Sequence, residues 1–280
     1  MDSGFAIHIF KVDDNAPPAL FTSVAKAEQE LLGAITNSDT SLPYPNLAAG
    51  PNGDGRFHES GTINYDITGS PQASFTFNTK SPFPYLAPVA PGGTNNFIAL
   101  EALFYVQLTA GVHTFAVRSD DGFKQTVGVT VCDTNLVLGI FDAGRGNDFP
   151  STYDFIVQTN GLYPMRLLYF QGEFGGNIEF YSVNRTNGEN ILINDSSNPR
   201  AVKAYPALKT TITSVNHSGN TTSFSFKSEN CRTHTVQYKN SLSDPLWQSL
   251  SPTISGDGTV KSFNDTTATG SSRFYHVMTQ

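Results

Sequence analysis

The sequence predicts an all-β chain: a larger β-sandwich with one N-terminal helix, followed by a small C-terminal sandwich. Three observations predict it. Apolar residues recur at every second position in many short segments, the pattern of a half-buried strand. Clusters of Gly, Pro, Asn, Asp and Ser separate those segments, as turns require. A single stretch carries the three- and four-residue apolar spacing of an amphipathic helix. At 280 residues the length suits two domains, each able to bury its own core.

Taken in order, Phe5-Ala-Ile-His-Ile-Phe-Lys-Val12 alternates and puts Phe5, Ile7 and Ile9 on one strand face. After Pro17-Pro18, Leu20, Val24, Ala27, Leu31 and Leu32 take helical spacing in a stretch rich in Ala, Glu and Lys. Residues 37–56 read as loop. Alternation resumes at Ile63, Tyr65 and Ile67, then at Ala73, Phe75 and Phe77. Further strands are expected at 97–108, 112–118, 124–131, 135–141, 153–158, 163–170 and 177–183, with long loops at 81–96 and 142–152. Asn160-Gly161 and Asn187-Gly188 are hairpin signals, because both residue types tolerate the positive φ of a type I′ turn. A second unit begins near Thr210, with strands expected at 210–215, 222–226, 233–238, 247–250, 259–263 and 273–277. Such even spacing is that of a small sandwich. The expected domains are 1–206 and 207–280. The N-terminal strand and helix are expected to complete the first sandwich, since so short a segment does not fold alone.

A formal net charge of -7, with no run of Lys and Arg, argues against nucleic acid and acidic membrane as partners. Only 15% of residues are charged, a balance typical of extracellular β-proteins. Cys132 and Cys231 fit no zinc or thioredoxin spacing and fall in different domains. Two buried free thiols are the expectation, with an inter-domain disulfide as the alternative. No stretch reaches transmembrane length. Met1-Asp2-Ser3-Gly4 runs straight into a strand with no signal peptide, so the chain is expected to be a mature fragment of an extracellular or cell-surface protein, a monomer in isolation.

Enzyme signatures are missing from the sequence: the six histidines show no metal-ligand spacing, and there is no serine elbow or Cys-His signature. Gly50 to Gly55 matches no phosphate loop. One acidic cluster, Arg118-Ser119-Asp120-Asp121-Gly122, invites a chemical reading. Adjacent carboxylates on an extended chain point apart and make a poor glycosidase pair. Across a cis peptide both would converge on one hard cation such as Ca²⁺, which takes six to eight oxygens and leaves positions for sugar hydroxyls. The plain alternative is an Asp-Asp-Gly hairpin turn.

The surrounding residues carry a resemblance. Ala110-Gly-Val-His-Thr-Phe-Ala-Val-Arg-Ser-Asp-Asp-Gly122, then Tyr163-Pro-Met-Arg-Leu-Leu-Tyr-Phe170 and the Gly-rich Gln171-Gly-Glu-Phe-Gly-Gly-Asn177, resemble the protective-antigen (PA-type) domain family over roughly residues 57–193. The resemblance implies a β-sandwich that serves as an accessory module in carbohydrate-active enzymes, toxins and adhesins. Its adhesin branch binds sugars through Ca²⁺ held by a cis Asp-Asp pair and a second loop. It therefore implies metal ligands at Asp120, Asp121, Gln171 and the carbonyls of Glu173 and Gly175; Phe174 and Asn177, in and just after the same loop, are further residues expected in a glycan site. Gln171 departs from the Asn of that branch by one methylene. Thr233 to Tyr238, Ser243 to Trp247 and Ser272 to Val277 look like the fibronectin type III-like repeats of large secreted bacterial proteins, which implies a spacer or weak binder.

Phe174 is either a stacking platform or a plug for the sandwich end. Asp142, Arg145, Asn147 and Asp148 either line a cleft or are simply solvated. Trp247 is expected to anchor the second core. The function expected is a non-catalytic carbohydrate-binding module. A structural or adhesive spacer is the alternative, and part of a carbohydrate-active enzyme the third reading.

Overall fold

The computed structural model describes residues 2–51, 53–67, 76–77, 79–87, 95–147, 149–207, 210–268 and 272–279. The chain divides into two compact units, Asp2–Pro206 and Ala207–Gln280. Both are β-sandwiches. In the larger unit the elements are β1 (Phe5–Lys11), α1 (Val24–Leu31), β2 (Arg56–Glu59), β3 (Asn64–Asp66), β4 (Ser81–Pro82), β5 (Ile98–Leu108), β6 (Gly111–Asp120), β7 (Phe123–Val127), β8 (Leu136–Phe141), β9 (Ser151–Val157), β10 (Gly161–Gln171), β11 (Asn177–Val183), β12 (Asn190–Leu192) and β13 (Ala204–Tyr205). The smaller unit holds β14 (Ile212–Ser218), β15 (Thr221–Lys227), β16 (Thr233–Lys239), β17 (Gln248–Ser249), β18 (Ile254–Ser255), β19 (Val260–Asp265) and β20 (Phe274–Thr279).

One sheet of the larger unit runs β2-β1-β5-β10-β7-β8, with β13 paired to β5; the other runs β4-β3-β11-β6-β9, with β12 on β11. The first strand therefore completes the sandwich, pairing with β5 from Ala6↔Leu103 to Lys11↔Ile98. Alternation explains the core. Phe5, Ile7 and Ile9 point inward with Leu100, Phe104, Phe115, Val117, Ile178 and Phe180. Phe104 of one sheet meets Phe180 of the other at 5.7 Å between ring centres. The alternation of Ala73, Phe75 and Phe77 falls largely outside the described residues; of the three, Phe77 is described, packing on Tyr181 at 5.4 Å.

The helix forms where its spacing predicts. Ser23 caps it, its Oγ accepting from Lys26 N at 3.2 Å. Val24 and Ala27 pack on Ala99, Leu168 and Phe170, on the sheet face turned away from the core. Glu28 takes a bidentate ion pair from Arg166, at 2.6 and 2.7 Å, whose Nε also reaches Glu101 at 2.6 Å. The helix is shorter than its apolar spacing suggests. Leu20 lies in a 3-10 turn before it, and Leu32 follows its last residue, 80% exposed.

Several sequence expectations need correction. Asn160-Gly161 joins β9, in one sheet, to β10, in the other; it is a crossover and not a hairpin. Asn187-Gly188 does lie in the hairpin between β11 and β12, with Gly188 at φ 71°. The stretch assigned to loop ends in a strand, since Arg56 begins β2 against β1. Trp247 stays out of the smaller core, which is built from Phe224, Phe226, Val236 and Phe263. It stacks instead on His276, at 4.0 Å between ring centres. Neither cysteine is a free thiol, and Cys231 is exposed. Among the described residues no helix is long and apolar enough to cross a membrane.

His8 supplies a pH dependence. It lies in register between Arg56 and Glu101 on the strands flanking β1 and is buried. Burial, helped by the Arg56 charge, lowers its pKa from 6.5 to about 4. The unfolded chain takes up this proton near pH 6.5 and the folded chain only near 4. Stability present above pH 6.5 is therefore lost as the pH falls toward 4, by about 3 kcal/mol from this residue. Urea unfolding of the wild type and His8→Gln at pH 7 and pH 4.5 checks this: the variant loses less on acidification. An equal acid loss in both would remove His8 from the account.

Candidate functional site

The Asp-Asp-Gly segment sits where the chain leaves one sheet for the other. β6 ends at Asp120 in the β11 sheet, and β7 begins at Phe123 beside β10. The segment is thus a crossover, which overturns the hairpin alternative. The Asp120–Asp121 peptide is cis, and the Asp120 side chain acts on the Asp121 carboxyl. Tyr169 Oη, from the sandwich interior, donates to Asp120 O at 2.7 Å.

Two loops close on Asp121. Its Oδ1 accepts from Arg145 N at 2.9 Å and its Oδ2 from Gly172 N at 2.7 Å. Burial pushes this carboxyl above its ordinary pKa, against the opposing pull of those two amides and of Asp120. Glycines clear the space around it. A Cβ at Gly172 would lie 3.1 Å from Asp121 Oδ2, and one at Gly144 would lie 3.4 Å from Oδ1.

Gln171, the last residue of β10, adjoins the amide that holds Asp121. It is fully buried; its Nε2 donates to Glu173 O at 2.9 Å, while its Oε1 is a buried acceptor without a partner. A Cβ at Gly176 would come within 2.9 Å of that oxygen. Two carboxylates and an unpartnered amide oxygen, with no nitrogen or sulfur donor in the set, fit a hard cation of the Ca²⁺ type. Among the described residues no group of three or more His, Cys, Asp and Glu could hold a metal; a cation at this pair would need neutral oxygens to complete its shell.

The remaining candidates separate by exposure. Phe174 is 74% exposed at the tip, so it does not plug the sandwich; its amide donates to Asn96 Oδ1 at 3.0 Å. Glu173 is exposed and Gly175 buried. Asn177 is fully buried as the first residue of β11, in register with Asp66 on one side and Asp120 on the other, and its side-chain amide has no partner. Asp142 is more than a solvated charge, since its Oδ1 accepts from Val24 N at 2.6 Å at the start of α1. Asn147 is buried, and Asp148 lies outside the described residues. Sequence reasoning missed Ser119, Tyr169 and Asn96, whose roles run through backbone atoms that leave no mark on residue spacing.

No protein-family profile matches the sequence, and no curated protein does. Solved structures show similarity at low identity. The PA14 domain of the MpAFP antifreeze protein aligns at TM-score 0.45 and 13% identity, over 72% of this chain and 90% of that one. A PA14 sugar-binding domain from an RTX adhesin gives 0.43 and 14%, over 69% and 96%. The epithelial adhesin 9 A domain from Candida glabrata, in complex with Galb1-3GlcNAc, gives 0.43 and 12%, over 68% and 85%.

Gly122 tests how tightly the crossover is packed. A Cβ there would meet the Phe170 ring at 2.4 Å and Phe141 O at 2.5 Å, and backbone cannot step aside. Gly122→Ala is expected to destabilise the chain by about 1–3 kcal/mol through overpacking. Urea unfolding measures it, and an unchanged midpoint would mean that the crossover yields freely.

Proposed function

We propose that the larger unit is a non-catalytic carbohydrate-binding module of a secreted or surface protein, holding Ca²⁺ at Asp120, Asp121 and Gln171. The observation that carries this reading is the cis Asp120–Asp121 peptide, whose Asp121 carboxyl accepts the Gly172 amide, next in the chain to Gln171 with its buried, unpartnered amide oxygen. Ca²⁺ bound there supplies open coordination positions for a pair of neighbouring sugar hydroxyls. Asp120 and Asp121 provide the charge, and the Gly172 and Arg145 amides fix the direction of Asp121. Phe174 offers its ring to an apolar sugar face. Glu173 and Gly175 would add carbonyl oxygens.

The same geometry weighs against hydrolysis. Glycosidase carboxyls stand about 5 Å or more apart to flank a scissile bond; here the pair comes from neighbouring residues joined by one cis peptide.

Calorimetric titration of chelator-stripped protein with Ca²⁺ tests the proposal. Saturable binding is expected in the wild type and none in Asp121→Ala. Phe174→Ala should keep its calcium affinity while losing about 1 kcal/mol of glycan affinity in the presence of calcium. Failure of the wild type to bind calcium would reduce the pair to a structural crossover.

A further inference from the structure

We infer that Arg145 is the positioning residue of the Asp120–Asp121 pair: its guanidinium holds the backbone on both sides of Asp120, and its amide holds the Asp121 carboxylate. The inference rests on the calcium-site reading above. The sequence leaves Arg145 as a loop charge that lines a cleft or is solvated, and the structure gives it five contacts on one short segment and its flank. Its Nε donates to Ser119 O at 2.9 Å and to Asp121 O at 3.3 Å. Nη2 donates to Ser119 Oγ at 2.8 Å, and that hydroxyl in turn donates a hydrogen bond to Asp121 O at 2.8 Å. Nη1 reaches Ser151 Oγ at 2.9 Å, at the start of β9. The Arg145 amide takes Asp121 Oδ1.

The two carbonyls gripped by Nε belong to the residues before and after Asp120. Fixing them fixes the backbone from which both carboxylates spring. The guanidinium plane is itself held, with its carbon 4.2 Å from the Phe141 ring centre and 5.6 Å from that of Phe123. A planar fork of five donors, packed against aromatic rings, can serve several acceptors at fixed angles; a lysine ammonium on a flexible stem cannot.

Charge and geometry pull in opposite directions, which makes the inference testable. A guanidinium near two carboxylates repels an incoming dication, so its charge taken alone weakens calcium binding. If Arg145 acted through charge, Arg145→Met would tighten calcium and Arg145→Lys would leave it unchanged. A positioning role gives the opposite result. Both substitutions weaken calcium about tenfold or more, the equivalent of one charge-assisted hydrogen bond.

The experiment pairs calcium calorimetry of chelator-stripped wild type, Arg145→Lys and Arg145→Met with amide hydrogen exchange of the same three proteins without calcium. Exchange at Gly172 reports on Asp121 directly, because that amide is bonded to Asp121 Oδ2 from a different loop. Faster Gly172 exchange in both variants, about tenfold or more, together with core amides protected as in the wild type, is expected. Equal or tighter calcium binding by Arg145→Met, or unchanged Gly172 exchange in both variants, would overturn the inference. A wild type that binds no calcium would end the functional reading, while the exchange arm would still decide whether Arg145 places Asp121.

Discussion

The tip of the larger sandwich is organised by a desolvated carboxylate. Asp121 sits where the chain passes between sheets, and a bare charge there would cost several kcal/mol. Two backbone amides answer it, one from the loop after β8 and one from the turn after β10. Each loop is thereby fixed to the crossover and, through it, to both sheets. The effect spreads further: the β8–β9 loop also carries Asp142, which accepts from the first amide of α1. The helix in turn covers Leu168 and Phe170 on β10. Asp121, the loops and the helix seat are therefore one connected arrangement.

Much of this fold is legible in the sequence, for definable reasons. Period-two alternation at Phe5, Ile7 and Ile9 identifies a strand because every second side chain enters the core. Of the strands that escape notice, β4, β13 and β18 are two residues long and β12 three, too short for any period, and β2 has four at the end of a stretch dense in Pro, Gly, Asn and Asp. Asn160-Gly161 misleads because turn chemistry is local, whereas the sheet that the next strand joins is decided by tertiary packing. Trp247 misleads for a similar reason: size and hydrophobicity suggest a core residue, but its position places it against the His276 ring. At the tip, the motif shows Asp120, Asp121 and Gln171. It does not show what Ser119 and Arg145 do there, because many of their partners are carbonyls and amides that every residue possesses.

The outward face of the β11 sheet explains why so many polar residues are buried there. Registers place Asn64, Glu179 and Arg118 in one row and Asp66, Asn177 and Asp120 in the next. Glu179 is fully buried, yet it accepts the amides of Thr76 and Phe77, each at 2.9 Å, with Arg118 3.7 Å away. Lys80 lies 3.0 Å from Asp66. A buried charge persists when it is met by such donors, as Glu179 and Asp66 are, whereas the side-chain amides of Asn64 and Asn177 in the same rows have no hydrogen-bond partner. Asp120 thus ends a polar row running toward the tip, in contrast to the apolar interior one residue away.

Phe174 is held in the left-handed region, at φ 71°, where a bulky residue costs about 1 kcal/mol or more and glycine nothing. Glycines flank it at 172, 175 and 176, so the loop has ready access to the residue that would relieve the cost. The backbone alone gives no reason for an aromatic side chain there. Packing gives none either, since three quarters of Phe174 faces solvent. Its amide is nevertheless tied down by Asn96, so the ring projects from a fixed point beside the Asp121 clasp. A strained backbone, an exposed ring and a fixed anchor are together consistent with contact to something outside the chain, and least consistent with a residue that serves the fold.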